Sequence, residues 1–160
     1  MLSVSIICVG KLREKYWRDA CLEYQKRLSA FCNCSIIEVE EYKTGNRPSK
    51  AQIKTVIEEE GKRILLKLPP KAQVISLCIE GKEFSSVLFS KRLEEFMVTG
   101  TSHIAFVIGG SWGLSEEMKN RSSLRFSMSR MTFPHQMARV MLLEQIYRAF
   151  QIAHSGQYHK

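Results

Sequence analysis

The chain has 160 residues, of which 44% are hydrophobic and 25% are charged, a composition typical of one globular domain. Lysine and arginine number 24 against 16 aspartate and glutamate, and the net charge of +8 favours a polyanionic partner, nucleic acid before membrane. No run of the sequence approaches the ~18 apolar residues of a membrane-spanning helix, which argues against an integral membrane protein.

The cysteine pattern and the N-terminus bear on the compartment. Five cysteines are present without a CxxC pair, which is typical of reduced thiols and not of a disulfide framework or a zinc site. The first residues, MLSVSIICVGK, lack the basic segment and the long apolar run of a signal peptide. We therefore expect a soluble protein in the cytoplasm.

Strands and helices alternate along the chain. Short apolar, β-branched runs predict strands at Val4–Val9, Ser35–Val39, Gln73–Ile79, His103–Ile108 and Leu124–Ser129. Helical spacing of apolar residues predicts helices around Trp17–Phe31, from Ser49 to before Pro69, over Ser86–Val98, after Ser115, and from Gln136 to about Ala153. This alternation predicts an α/β fold with a mainly parallel sheet flanked by helices, in a single domain spanning residues 1–160.

A glycine-rich turn, IGGSWG, follows the fourth predicted strand at residues 108–113. Glycines let backbone amides approach a ligand closely, and ligands of open α/β sheets bind at the carboxyl ends of strands. A tight turn without a ligand is the alternative. A dinucleotide site is a poor match, because no acidic residue stands between Met118 and Leu143 to hold a ribose.

The same stretch without acids carries five cations: Lys119, Arg121, Arg125, Arg130 and Arg139. Basic side chains without acidic neighbours keep their full attraction for phosphate. A solvated basic face is the alternative interpretation.

The segment SMSRMTFPHQ, residues 127–136, predicts a loop that is unusually apolar. Pro134 excludes a regular helix immediately before it and favours an extended Phe133. With Met128 and Met131, such a loop is either packed into the core or lines a pocket for a flat, partly apolar ligand such as adenine. His135 is either a hydrogen-bonding residue at a helix start or a catalytic residue.

The last predicted helix has apolar residues on more than one face, which indicates a central helix or a dimer interface. Glu144 stands four residues before Arg148, so it forms either an ordinary helical ion pair or a functional carboxylate. The terminal residues 154–160 on their own predict a frayed polar tail.

Several motifs together resemble one family over essentially the whole chain. VGKLREKYW, IEGKEFSS, FVIGGSWGLS, SMSRMTFPHQMARVMLLEQIYRAF and the terminal YHK are similar to those of the ribosomal RNA large subunit methyltransferase H family, in the SPOUT superfamily. The resemblance implies methylation of N3 of a pseudouridine in 23S ribosomal RNA, using S-adenosylmethionine and no metal. It also implies a C-terminal trefoil knot, a homodimer with both active sites at the interface, and the assembled 70S ribosome as substrate.

The resemblance also implies roles for particular residues. His135, Arg139 and Glu144 would lie at the reaction centre, and Tyr158, His159 and Lys160 would close over the partner subunit's site. Arg139 and Lys160 would contact RNA, and His159 or Glu144 would accept the proton from N3. The pocket for S-adenosylmethionine would be formed by Leu77, Gly109, Met128, Ser129, Arg130, Met131, Thr132 and Phe133.

Two departures from the family pattern keep alternatives open. His154, Ser155 and Gln157 stand where the family commonly has an arginine, a glycine and a proline, and Cys78 stands beside Leu77 where an acidic or small residue is commoner. The alternatives are a SPOUT methyltransferase acting on another RNA, such as transfer RNA, and a non-catalytic RNA-binding or ribosome-assembly protein. A dinucleotide-binding oxidoreductase is weakened by the missing acidic residue.

Overall fold

The computed structural model describes residues 1–154. Five parallel strands form one sheet in the order β2-β1-β4-β3-β5. The strands are β1 (Ser3–Val9), β2 (Asn33–Val39), β3 (Gln73–Glu83), β4 (His103–Ile108) and β5 (Leu124–Ser127). The helices are α1 (Lys15–Leu28), α2 (Lys50–Lys67), α3 (Ser86–Val98), α4 (Glu116–Arg121) and α5 (His135–His154). The predicted parallel α/β fold is confirmed.

Helices cover both faces of the sheet because its strands are apolar on both sides. In β1, Ile6 and Cys8 pack with α1, α3 and α5, whereas Ile7 and Val9 face the cluster that holds Ile64 of α2 and Met118 of α4. Alternate residues of a strand point to opposite faces. Burying each such side chain contributes roughly 1.5–3 kcal/mol, so the strand is stabilised from both sides.

Serine residues begin three of the helices. Ser49 and Gln52 form a capping box at the start of α2, and Ser115 caps α4 through the backbone amide of Met118. Ser85 accepts from the amide of Leu88 at the start of α3. These caps satisfy amides that a helix leaves without internal partners.

The structure corrects three predicted boundaries. Helix α1 ends at Leu28 and not at Phe31, and β5 ends at Ser127, so Ser129 belongs to the following loop. Strand β3 extends to Glu83 because residues 78–81 bulge out and the chain returns to pair with β5 again. Gly81 allows this return, since a Cβ there would lie 2.7 Å from the backbone carbon of Arg125.

Helix α5 follows β5, the last strand of the sheet, and packs against α1 and α3. The apolar residues predicted to face more than one way are consistent with this central position, since Leu142, Leu143, Ile146 and Phe150 are all buried. The trefoil knot expected from the resemblance stays a prediction. Of the sites predicted from it, Tyr158, His159 and Lys160 lie outside the described residues.

Candidate active site

A cavity of 710 Å³ opens at the carboxyl edge of the sheet. Its walls come from the middle of β3, the turn after β4, the loop after β5 and the start of α5. This edge is where ligands bind in open α/β sheets, and the volume suits a ligand of nucleoside size. The lining residues include Leu77, Gly109, Met128, Ser129, Met131, Thr132, Phe133 and His135.

The glycine-rich turn forms one wall through close backbone packing. The amide of Gly113 donates to the carbonyl oxygen of Gly110 at 3.1 Å, and Gly113 has a φ of 90°, a conformation that favours glycine. A Cβ on Gly109 would lie 2.9 Å from the backbone of Gly113. Trp112 therefore sits at the tip of a tight turn, 45% exposed, on the rim of the cavity.

The loop after β5 forms the opposite wall and is held by its own serines. The hydroxyl of Ser127 donates to the carbonyl oxygen of Ser129 at 2.9 Å, and the amide of Met131 donates to the hydroxyl of Ser129 at 3.0 Å. Met131 is 72% exposed. Of the two interpretations left open for this apolar loop, the structure favours the pocket lining over the core.

His135 is the first residue of α5 and projects into the cavity lining. Burial, and then the positive charge of Arg139, lowers the pKa of His135 below its ordinary value of 6.5. The imidazole is therefore neutral at pH 7, when one ring nitrogen can accept a proton.

Arg139 lies one turn further along α5 but outside the cavity lining. Its guanidinium is 2% exposed; Nη1 donates to Glu38 Oε2 at 2.7 Å and Nη2 donates to the carbonyl oxygen of Gly10 at 3.2 Å. Within residues 1–154, its Nε has no hydrogen-bond partner. Through these hydrogen bonds Arg139 connects α5 to the carboxyl ends of β1 and β2.

Two further predicted site residues also lie away from the cavity. Glu144 receives the guanidinium of Arg148 at 2.7 Å, as the helical spacing suggested, and does not line the cavity. Arg130 is exposed, with Glu83 3.9 Å from its Nε, and it is absent from a cavity wall that its neighbours form.

The prediction that the basic stretch lacks acidic neighbours is wrong, because carboxylates that are distant in the sequence approach it in the folded structure. Lys119 pairs with Glu80 at 2.6 Å, and Arg130 and Arg139 meet Glu83 and Glu38. These carboxylates come from β2 and β3, so a scan for local acids along the sequence could not reveal them. The structure argues against this stretch as a phosphate surface, because three of its five cations have acidic partners.

Glu60 of α2 is a residue that sequence reasoning missed. It is 2% exposed, and its Oε2 accepts from the amide of Tyr42 at 3.0 Å. Its Oε1 has no partner within residues 1–154 and lies 2.8 Å from where a Cβ on Gly110 would stand. The available signal was its spacing, four residues after buried Val56 and four before buried Ile64.

The environment of Glu60 favours its neutral form. Burial is the largest effect and raises the pKa of its carboxyl above the ordinary 4.5, and the hydrogen bond from the Tyr42 amide opposes it. The charges of Glu41, which raises the pKa, and of Arg63, which lowers it, have smaller effects. The carboxyl lies against the glycine-rich turn at Gly110.

The cysteines offer no reactive thiolate. Burial raises the pKa of Cys8 and Cys32 to about 12 and that of Cys34 to about 11, and all three stay protonated at neutral pH. Within the part of the chain that the structure describes, no three His, Cys, Asp or Glu side chains cluster as metal ligands. Nor does any helix there combine the length and apolar character needed to cross a membrane.

We predict that Glu60→Gln stabilises the protein relative to wild type increasingly as the pH rises. The folded state of wild type binds the Glu60 proton more tightly than the unfolded state does. Wild-type stability therefore falls as the pH rises from the unfolded pKa to the raised folded pKa, and it then levels off. Urea unfolding of both proteins between pH 4.5 and 8 measures the difference.

Glu60→Ala is the control for this experiment. It removes the bond to Tyr42 as well as the carboxyl, and should be about 1–3 kcal/mol less stable than Glu60→Gln at every pH, because neither variant titrates at this position. A constant difference between wild type and Glu60→Gln over the whole pH range would show that the Glu60 pKa is not raised.

We predict that Arg139→Met lowers the free energy of unfolding by about 3 kcal/mol, because it leaves Glu38 without its buried partner. Arg139→Lys keeps the charge but not the two-point contact, and should cost less. The matched control is Arg121→Met at an exposed position of α4, expected within about 0.5 kcal/mol of wild type. If Arg139→Met unfolds like the control, the ion pair with Glu38 does not hold α5 in place.

Comparison with known proteins agrees with this architecture. A family model described as a predicted SPOUT methyltransferase matches residues 2–159. Proteins named Ribosomal RNA large subunit methyltransferase H are 49% identical in Streptococcus equi subsp. zooepidemicus (strain MGCS10565) and 46% identical in Streptococcus pneumoniae (strain CGSP14). Each alignment spans 159 residues, 99% of this chain and 100% of the relative.

A solved structure shares the fold at much lower sequence identity. A probable methylase family protein from Haemophilus influenzae Rd KW20 superposes with a TM-score of 0.56 and 12% identity, over 100% of this chain and 72% of that one. At this identity the likeness concerns the fold alone. From the family match and the full-length relatives, the chain belongs to the SPOUT methyltransferase family.

Proposed function

We propose that the protein transfers a methyl group from S-adenosylmethionine to N3 of a pseudouridine in 23S ribosomal RNA, within the assembled 70S ribosome. The observation that carries the proposal is the cavity at the carboxyl edge, between a glycine-rich turn and an apolar loop. It occurs in a chain similar over its whole length to proteins named for ribosomal RNA methylation.

The cavity residues fit S-adenosylmethionine. Leu77, Met128, Met131 and Phe133 offer apolar surface for an adenine ring, and the backbone of the loop offers groups for the ring nitrogens. Gly109 allows the glycine-rich wall of the cavity to pack tightly, since a Cβ there would meet the backbone of Gly113. When bound, S-adenosylmethionine supplies an already activated methyl group, so the protein chiefly holds methyl and acceptor in line.

The acceptor nitrogen must lose a proton before it can attack. We propose His159 or Glu144 as the group that takes this proton, with His135 beside them at the reaction centre. His135 is neutral and lines the cavity, which supports its presence there. Glu144 would have to act from its ion pair with Arg148, so His159 is the stronger candidate of the two.

Arg139 contributes to the same centre from a buried position. Its positive charge lies close enough to lower the pKa of His135, and a nearby cation also favours the anion that forms at N3. The contacts with Glu38 and Gly10 support a role in placing the first turn of α5. A direct contact of Arg139 with RNA, and that of Lys160, stay proposals.

We further propose that the protein works as a cytoplasmic homodimer, with the tail of one subunit over the site of the other. Trp112 and Met131 line the cavity and are exposed, and Met137 is exposed in the first turn of α5. Such a partly exposed apolar rim is typical of surfaces that another chain covers. These exposed side chains support the proposal that a second copy of the chain covers part of each site.

A second candidate function is methylation of another RNA by the same chemistry. Cys78 lines the cavity beside Leu77, and it is one of the positions that departs from the family pattern. Mass spectrometry of ribosomal and transfer RNA from a deletion strain separates the two candidates. A non-catalytic RNA-binding protein is the third, and it would bind no S-adenosylmethionine in a calorimetric titration.

The main prediction is methyl transfer to ribosomes by the purified protein. With labelled S-adenosylmethionine, 70S ribosomes should be labelled in preference to separate subunits or naked ribosomal RNA, and nucleoside mapping should locate the label on N3 of a pseudouridine. Gly109→Ala should weaken the affinity for S-adenosylmethionine at least about tenfold, because its Cβ disrupts the turn.

The matched control is Val98→Ala, a change at an exposed position at the end of α3 that should leave binding and transfer unaffected. Circular dichroism checks that both variants are folded. Label on transfer RNA and not on ribosomes would overturn the proposed substrate. Wild-type S-adenosylmethionine affinity in Gly109→Ala would overturn the proposed pocket.

We predict that removing Tyr158, His159 and Lys160 lowers the rate of methyl transfer about a hundredfold, the order of magnitude expected for loss of a general base. His159→Ala alone should shift or flatten the pH profile of the transfer rate. Full transfer by the truncated chain would show that the tail has no part in the active site.

A further inference from the structure

The loops that follow β1 and β2 lie at the same sheet edge as the cavity. The first, residues 10–14, is here called the β1 loop, and the second, residues 40–49, the β2 loop. They start side by side, because the amide of Gly10 donates to the carbonyl oxygen of Val39 at 2.9 Å. Strand β1 is also the neighbour of β4, whose glycine-rich turn forms a cavity wall. The β1 loop thus stands next to the cavity, with the β2 loop one strand further out.

Both loops lie close to cavity residues, the second of them through Glu60. A Cβ on Gly10 would stand 3.9 Å from the ring of His135, a cavity residue. On the other side, the amide of Tyr42 is bound by Glu60, whose second oxygen abuts Gly110. A ligand held by these loops is therefore positioned relative to the cavity.

The loops carry exposed positive charge. Residues 10–13 and 42–50 contain no acidic residue and five cations: Lys11, Arg13, Lys43, Arg47 and Lys50. Counting the flanking Glu14, Glu40 and Glu41 still leaves an excess of two positive charges. The surface is basic at the tips of the loops, and its acidic residues lie at their bases.

None of the five cations has an ion pair in the described part of the chain, and four of them lie in the two loops. Lys11, Arg13, Lys43 and Arg47 are all exposed, and none has a carboxylate within ion-pair distance in the described part of the chain. They differ in this from Lys119, which pairs with Glu80. Unpaired exposed cations keep their attraction for phosphate.

The β2 loop is held at both ends and open in the middle. At its start, Arg63 Nη1 donates to the carbonyl oxygen of Glu40 at 2.8 Å, and its guanidinium lies 5.5 Å from the ring centre of Tyr42. At its end, Ser49 caps α2. Between them, no hydrogen bond to any of residues 1–154 engages positions 43–48. The two ends of the loop are therefore fixed, and Lys43 and Arg47 between them are exposed to solvent.

We propose that Lys11, Arg13, Lys43 and Arg47 form a phosphate-binding surface that holds the RNA backbone across the mouth of the cavity. This inference rests on the proposed function, because it takes the substrate to be RNA. The surface supplies affinity and orientation without reading bases, as phosphate contacts do. Selection of the target base is left to the cavity.

The experiment uses two double variants, Lys11→Gln with Arg13→Gln and Lys43→Gln with Arg47→Gln. The matched control is Lys67→Gln with Lys71→Gln, two exposed lysines with the same four-residue spacing as Lys43 and Arg47, at the end of α2 and before β3. Binding to a fluorescent 23S ribosomal RNA fragment is measured at salt concentrations from about 50 to about 300 mM, because contacts with phosphate weaken as the salt concentration rises. S-adenosylmethionine affinity is measured by calorimetry for the same proteins.

Each loop variant should bind the RNA about tenfold more weakly at 0.1 M salt. It should also lower the slope of log affinity against log salt by about 1.5, since each lost phosphate contact reduces this slope by roughly 0.7–0.9. The control should bind like wild type. S-adenosylmethionine affinity should be unchanged in all three variants, which shows that their cavities are intact.

The outcomes separate the surface from the proposed function. Equal RNA affinity of wild type and both loop variants overturns the surface and leaves the proposed function standing. No binding of the fragment by wild type also overturns the surface, whereas labelling of 70S ribosomes, measured separately, decides the proposed function. Light scattering is run on every variant, and a loop variant that loses mass and RNA affinity together identifies the loops as a contact between two copies, which also overturns the surface.

Discussion

The arrangement of the site depends on the buried guanidinium of Arg139. It binds Glu38 of β2 and the carbonyl oxygen that ends β1, and so holds the first turn of α5 across the carboxyl edge of the sheet. A buried cation is tolerated only with such partners. Because His135 stands one turn earlier on the same helix, the ion pair also determines where the imidazole meets the cavity.

A second polar group supports the opposite side of the cavity. Glu60 lies under the glycine-rich turn and binds the amide of Tyr42, so one carboxyl connects α2, the β2 loop and the turn after β4. A side chain on Gly110 would displace this carboxyl, because its Cβ would lie 2.8 Å from Glu60 Oε1. Arg139 and Glu60 thus place polar contacts on the two faces of the sheet, each near a cavity wall.

Local patterns predicted the elements of the fold well. The capping box at Ser49 and the apolar runs of the buried strands depend on neighbours within a few residues, and these are visible in the sequence. The return of β3 to β5 depends on Gly81 meeting a distant backbone, which no local pattern records. For the site, the apolar loop and the glycines pointed to a pocket, but the ligand was named only through the family resemblance. The partners of Arg139 and Glu60 are 101 and 18 residues away along the chain, so their roles required the folded structure.

The order of the strands places two different kinds of surface along the carboxyl edge of the sheet. The segments of β3, β4 and β5 form an apolar cavity, whereas those after β1 and β2 are polar and carry unpaired cations. An apolar cavity suits a flat ring, and exposed cations suit a phosphate backbone. The proposed methyl transfer to RNA requires both ligands to be held at once, with the methyl group and the base between them. Because β1 and β4 are neighbours in the sheet, the two halves of this edge meet at Gly10, His135 and Gly109, where the reacting groups would lie.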